Sequence, residues 1–280
     1  MTYQPVIGVG GYGGWRILET TRVRQQETFD SSATIARDIE YFRANIESAT
    51  SAEALVGDRQ LLTVALGAFG LGDEINKPAF IRRVLEDGTE SSTAFANRLG
   101  DQRYREFSEA FGYGNITNGT SIFLESFQED VIARYKTLEF ERAVGNIDDD
   151  MRLALNFKRA IEDISTGENV DNVGWLSIMG QAPLREVVAT ALGLPDATSQ
   201  LDIDRQVEIF EDKALTVLGS SSASVFTDPA KVEDTIRRFF LFRQIESGPS
   251  ATTAGLGALT LLQSSALGGG ATVNLFQSQF

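Results

Sequence analysis

The 280-residue sequence contains neither cysteine nor histidine. Without a thiol there is no disulfide, no thiolate nucleophile and no thiolate metal ligand. Without an imidazole, every triad or proton relay built on a group titrating near neutrality is excluded. Positive charge is also scarce: 25 Lys and Arg stand against 39 Asp and Glu, a formal charge of −14. Such a chain repels phosphate backbones and anionic headgroups at long range, so neither nucleic acid nor an acidic membrane surface is an expected partner. Long apolar runs are missing too. Ala254–Leu267, the most apolar late stretch, falls short of the roughly 20 residues of a membrane span and contains Gln263 and two serines. Met1–Gly14 lacks the basic start and apolar run of a secretory signal. No membrane insertion and no cleaved signal peptide are expected.

Alternating β-branched runs are absent as well, and helical periodicity takes their place. Ile35, Ile39, Phe42 and Ile46 follow the 3.6-residue period, as do Ala154, Phe157, Ile161 and Ile164, and Val232, Ile236, Phe239 and Phe240. Gly70, Gly88, Gly100, Gly112, Gly145, Gly167, Gly180, Gly193 and Gly219 each follow such a run, where a helix C-terminus calls for positive φ. N-cap residues come soon after many of them: Asn76, Asp101, Asp148, and Asp228 ahead of Pro229. Thr50 with Glu53, and Ser199 with Asp202, have capping-box spacing. The expected fold is all-α, a compact array of short helices joined by Gly-capped turns.

Residues 1–49 read as a leader and helical arm. Residues 50–247 read as the helical core, with sub-units 50–114 and 121–247 flanking the polar Asn115–Thr120. Residues 248–280, rich in Ala, Gly and Ser, read as a flexible tail that orders on a partner. Ala68-Phe69-Gly70-Leu71-Gly72-Asp73 is echoed by Ala191-Leu192-Gly193-Leu194-Pro195-Asp196. Shared helix-stop chemistry accounts for the echo, and so does duplication of a small helical unit.

Gly8-Val9-Gly10-Gly11-Tyr12-Gly13 has the form GxGxxG, but a dinucleotide site also needs a second strand ending in an acid. Charged, helix-period sequence from Trp15 to Ser48 leaves no room for one, so these glycines read as a flexible leader and no cofactor is expected. Asn146-Ile147-Asp148-Asp149-Asp150 resembles the start of a calcium loop, yet Met151 and Phe157 stand where glycine and glutamate are required. An acidic helix N-terminus is the better account, and no metal is expected. The Asn115 and Asn118 sequons are loop composition. No serine lies in a nucleophile-elbow pattern, and catalytic residues are expected to be none.

The run from Tyr135 through Phe140, Glu141 and Gly145 to Met151, Arg152, Leu153, Leu155 and Phe157 resembles the signature of the bacterial domain of unknown function numbered 1217. Trp175 with Gly180, and Gly14-Trp15-Arg16, are similar to further pieces of its members. The family is found mostly in alphaproteobacteria and is often encoded among flagellar genes. The resemblance implies a flagellum-related role and supplies no catalytic residues. Its signature side chains read as packing positions.

The expected function is therefore that of a non-enzymatic, flagellum-associated structural or assembly protein acting through protein–protein contacts. It would be cytoplasmic, or exported with the flagellum without a cleaved signal. A cytoplasmic chaperone or adaptor for flagellar export is the alternative, and an enzyme using carboxylates is a third reading. The partners would be other proteins, flagellar components first among them. Trp15, the stripe Ile35, Ile39, Phe42 and Ile46, and the cluster Leu256, Leu259 and Leu262 are the expected partner-binding positions.

Overall fold

A computed structural model describes residues 3–117 and 119–247, so Leu256, Leu259, Leu262 and the whole expected tail lie outside the described residues. All regular structure among the described residues is helical. In chain order the helices are α1 (Gly11–Asp30), α2 (Ala33–Asn45), α3 (Ala52–Gly57), α4 (Arg59–Gly67), α5 (Pro78–Glu86), α6 (Phe95–Arg98) and α7 (Gln102–Phe111). There follow α8 (Glu125–Gly145), α9 (Asp149–Ser165), α10 (Val170–Met179), α11 (Ala182–Ala191), α12 (Ile203–Leu218) and α13 (Pro229–Glu246).

Starts and stops follow local chemistry. The carboxylates of Asp101, Asp148 and Asp228 accept from the backbone N–H groups of Arg103, Met151 and Ala230, filling orphan donors at three helix starts. Ser51 rather than Thr50 caps α3, and Lys77 rather than Asn76 precedes α5. Ser199 sits inside a 3₁₀ turn, Asp196–Gln200, instead of opening a capping box with Asp202. Gly70, Gly88, Gly112, Gly193 and Gly219 take the expected left-handed φ, whereas Gly100, Gly145, Gly167 and Gly180 do not. Gly145 remains the last residue of α8, and a Cβ there would lie 2.5 Å from Arg152 Cδ, so close packing rather than φ calls for glycine.

One hydrophobic core runs from Trp15 to Phe240. α9 lies deep within it, burying Met151, Leu153, Ala154, Leu155 and Phe157 on more than one face against α8, α10 and α11. The expected boundary at residue 50 is corrected by α1 and α2. Trp15, Leu18 and Phe29 of α1 are buried, with Trp15 6.0 Å from the Phe240 ring of α13 and Phe29 edge-on to Phe140 of α8. α1 is thus a shared wall, and the core includes it.

The sequence echo extends into three dimensions. Leu71 N–H bonds to Leu66 C=O and Leu194 N–H to Ala189 C=O, the same five-residue return over a left-handed Gly70 or Gly193. A 3₁₀ turn follows each, Gly72–Asn76 and Asp196–Gln200. Helix pairing then repeats: α2 on α4, α3 on α4, α3 on α5, α4 on α8 and α2 on α8 correspond to α9 on α11, α10 on α11, α10 on α12, α11 on α13 and α9 on α13. α1 packs against α2 and α8 on one side and against α9 and α13 on the other. Shared helix-stop chemistry does not produce matched partners, so the echo marks a repeated helical unit. The first unit carries an insertion, α6 and α7, for which the second has only residues 219–228.

Candidate functional site

The signature residues converge on the corner where α8 turns into α9. Tyr135, Phe140, Met151, Leu153 and Leu155 are all buried. Tyr135 lies against α4: a Cβ on Gly67 would sit 2.7 Å from its ring, so a glycine is what lets the two helices approach. The Tyr135 hydroxyl donates to Asp38 Oδ2 at 3.3 Å, and the Gln60 amide donates to Oδ1 of the same carboxylate at 3.2 Å. Burial, with the Glu139 and Asp38 carboxylates close by, drives the Tyr135 phenol above its ordinary pKa and keeps it a donor.

Glu141, also buried, receives two bonds from Arg159, Nε to Oε1 at 2.8 Å and Nη2 to Oε2 at 3.2 Å. This fork ties α8 to α9 and satisfies a carboxylate that could not be left bare. Arg152 bonds Asp149 within the first turn of α9 at 2.7 Å. Trp175 donates its indole N–H to Ser221 C=O at 2.6 Å, fastening α10 to the turn before α13, and Gly180 ends α10 with an ordinary right-handed φ of −68°. These contacts hold the fold.

The Asp148–Asp150 run is likewise structural, as its position at the start of α9 requires. Asp148 caps the helix, Asp149 pairs with Arg152, and Asp150 lies 3.0 Å from Arg243 of α13. Burial raises the Asp150 carboxyl above its usual value, against the pull of the Arg243 guanidinium. Among the described residues no group of His, Cys, Asp or Glu is arranged to hold a metal ion.

The glycine-rich start, expected to be flexible, is ordered. Gly10 precedes α1, and Gly11–Gly14 form its first turn. A Cβ on Gly14 would fall 1.6 Å from Val9 C=O and 2.6 Å from Met151 Cε, so this glycine admits backbone and the α9 side chain, not a pyrophosphate. Residues before it are pinned by Gln25, whose amide accepts from Val6 N–H at 2.7 Å and donates to Val6 C=O at 3.1 Å. Gln25 is buried, which its polarity conceals in the sequence; the available signal is its place on the Trp15, Leu18, Phe29 face of α1. Lys158 also pairs with Glu19 across α9 and α1.

The expected docking stripe is corrected in the same way. Trp15, Ile35, Ile39, Phe42 and Ile46 are 0–6% exposed, because α1 closes on α13, and α2 on α4 and α8, of its own chain. The described surface carries shallow hollows: one, of about 470 Å³, borders α2 and is lined by Asp30, Ile39, Glu40, Arg43 and Lys136 among others; another, of about 450 Å³, is lined by Lys77, Phe80 and Tyr104 among others. The large apolar side chains that face solvent in the second unit include Val173 and Leu176 of α10, Leu201, and Ile203 and Leu215 of α12, all 42–55% exposed. Among the described residues no helix is long and apolar enough to cross a membrane.

No curated protein matches the chain. A crystal structure of an Agrobacterium tumefaciens protein, solved by a structural genomics consortium, superposes with a TM-score of 0.67 at 27% identity, covering 88% of this chain and 99% of that one. The family described as "Protein of unknown function (DUF1217)" matches residues 68–232, more than half the chain and parts of both helical units. The chain belongs to the DUF1217 family.

Proposed function

We propose that this protein works by holding other proteins, as a non-enzymatic structural or assembly part of the bacterial flagellum. The observation that carries the reading is the outward-facing set Val173, Leu176, Leu201, Ile203 and Leu215 on and beside the packed pair α10 and α12. Apolar side chains gathered on adjoining elements are the ordinary mark of a protein contact. The carboxylates with buried surroundings, Glu141 and Asp150, face arginines that join helices, which suits a scaffold. The flagellar setting rests on the gene neighbourhood that the family resemblance implies.

The test is deletion of the gene with swimming scored in soft agar, and the protein followed in sheared flagella, culture supernatant and cytosol. Loss of swimming with protein in the flagellar fraction is expected. Normal swimming with the protein confined to the cytosol overturns the reading. Lost swimming with cytosolic retention and a co-purifying flagellar subunit replaces it with an export adaptor.

A further inference from the structure

The repeated unit supplies an internal control for the surface of α12. With the first residues of α5 and α12 aligned, buried Ile81 and Leu85 fall on buried Gln206 and Phe210, so the two helices present equivalent inner faces. Their outer flanks differ. On α5 the aligned residues are Arg82 and Glu86, an exposed ion pair at 3.6 Å, as expected of a wetted surface. On α12 the half-buried Val207 replaces the arginine, and Ile203, Val207, Glu211 and Leu215, spaced four apart and advancing about 40° per step, wind along one side of the helix. Ile203 is 50% and Leu215 55% exposed, and α12 packs chiefly on α10. Asp204 and Glu211 are interleaved on that flank, Glu208 beside them is paired with Arg205 at 2.5 Å, and Lys213 lies on the other side of the helix.

We infer that this flank of α12 is the docking site for a basic amphipathic helix of another protein, which deepens the protein-holding reading above and rests on it. An apolar ridge set among carboxylates is complementary to a helix with an apolar stripe between Lys or Arg. The chain's own residues 248–280 contain no charged side chain and cannot answer those carboxylates. A second copy would bring acid against acid in a chain of charge −14.

The probe is a labelled 18-residue Leu/Lys peptide patterned as an amphipathic helix, titrated into the full chain, with a scrambled peptide of the same composition as control. Binding of the patterned peptide at least tenfold tighter than the scrambled one, with hydrogen-exchange protection over residues 201–217, is expected. Val207→Glu with Leu215→Glu should weaken it at least tenfold. Asp204→Lys with Glu211→Lys, which keeps the apolar ridge and the Arg205–Glu208 pair, should do the same; circular dichroism verifies that both variants fold. Equal binding of the scrambled peptide, protection elsewhere, or indifference to both variants overturns the proposal. In cells, a benzophenone amino acid at Glu211 should cross-link to a basic segment of another polypeptide whose synthetic copy binds at the same flank. Cross-links to residues 248–280 or to a second copy overturn it. A cross-linked partner unrelated to the flagellum leaves the site standing and removes the flagellar reading, so the two fail separately.

Discussion

Gly67 sits where α4 meets α8, and no other residue leaves room there for the Tyr135 ring. Gly67→Ala should therefore cost about 1–3 kcal/mol through overpacking, read as a lower midpoint in urea with unchanged slope. The Glu141–Arg159 fork makes a different demand. Arg159→Ala strands a buried carboxylate and should cost about 2 kcal/mol, tempered because Arg159 is partly exposed, whereas replacing both members by apolar residues should cost less. A urea series on the two single variants and the double variant measures that ordering. Gln25 acts in a third way, because its amide substitutes for a neighbouring strand and meets both backbone groups of Val6. Gln25→Ala should raise exchange of the Val6 amide by about fivefold, a loss of about 1 kcal/mol locally. Unchanged exchange would mean that something other than Gln25 holds residues 3–9.

The helices were legible in the sequence because their determinants are local. Aspartate caps, glycine stops and 3.6-residue stripes are read within one or two turns, and Asp101, Asp148 and Asp228 open helices as their spacing implies. What those stripes pack against is not local. The Ile35–Ile46 stripe reads the same whether it meets α4 of its own chain or another protein, and only tertiary structure distinguishes the two. Gly145 and Gly180 differ from left-handed stops for a related reason: close approach of another side chain, or a right-handed cap, also places glycine at a helix end. The Gly8–Gly13 run joins low side-chain content to a position near the start, a pattern shared by mobile leaders and ordered helix starts, and close packing enters only at Gly14. The echo at Gly70 and Gly193 is visible in the residues, but its standing as a repeat needs the helix pairings. The flank of α12 does not stand out in the sequence, since Ile203, Val207 and Leu215 are ordinary helix residues until α5 is laid beside them.

For the whole molecule, acid response follows from carboxylates held below their ordinary pKa. Backbone bonding from Thr117 lowers Glu90, and the Arg43 guanidinium lowers Glu129. Burial opposes the shift at Asp101 and Asp234, yet Arg103 in one case and Arg238 with Arg237 in the other prevail. A depressed folded-state pKa contributes stability above the unfolded value of about 4 and loses it as pH falls through the folded value. The melting temperature should therefore hold between about pH 5 and 7 and decline below about pH 4; a rise on acidification would contradict these pairings. The two units share one core, so this decline should appear as a single cooperative transition. α1 makes the sharing mechanical. Its first turns seat Trp15 against α13 and its last turn seats Phe29 against α8, with Leu18 and Gln25 on the same face between them. The helix thus acts as a shaft whose two ends must stay in phase. One alanine inserted near Arg22 would turn Phe29 by about 100° relative to Trp15, so that only one unit could seat its aromatic at a time. Such an insertion should split the melting curve in two, whereas an alanine substitution at the same place should not.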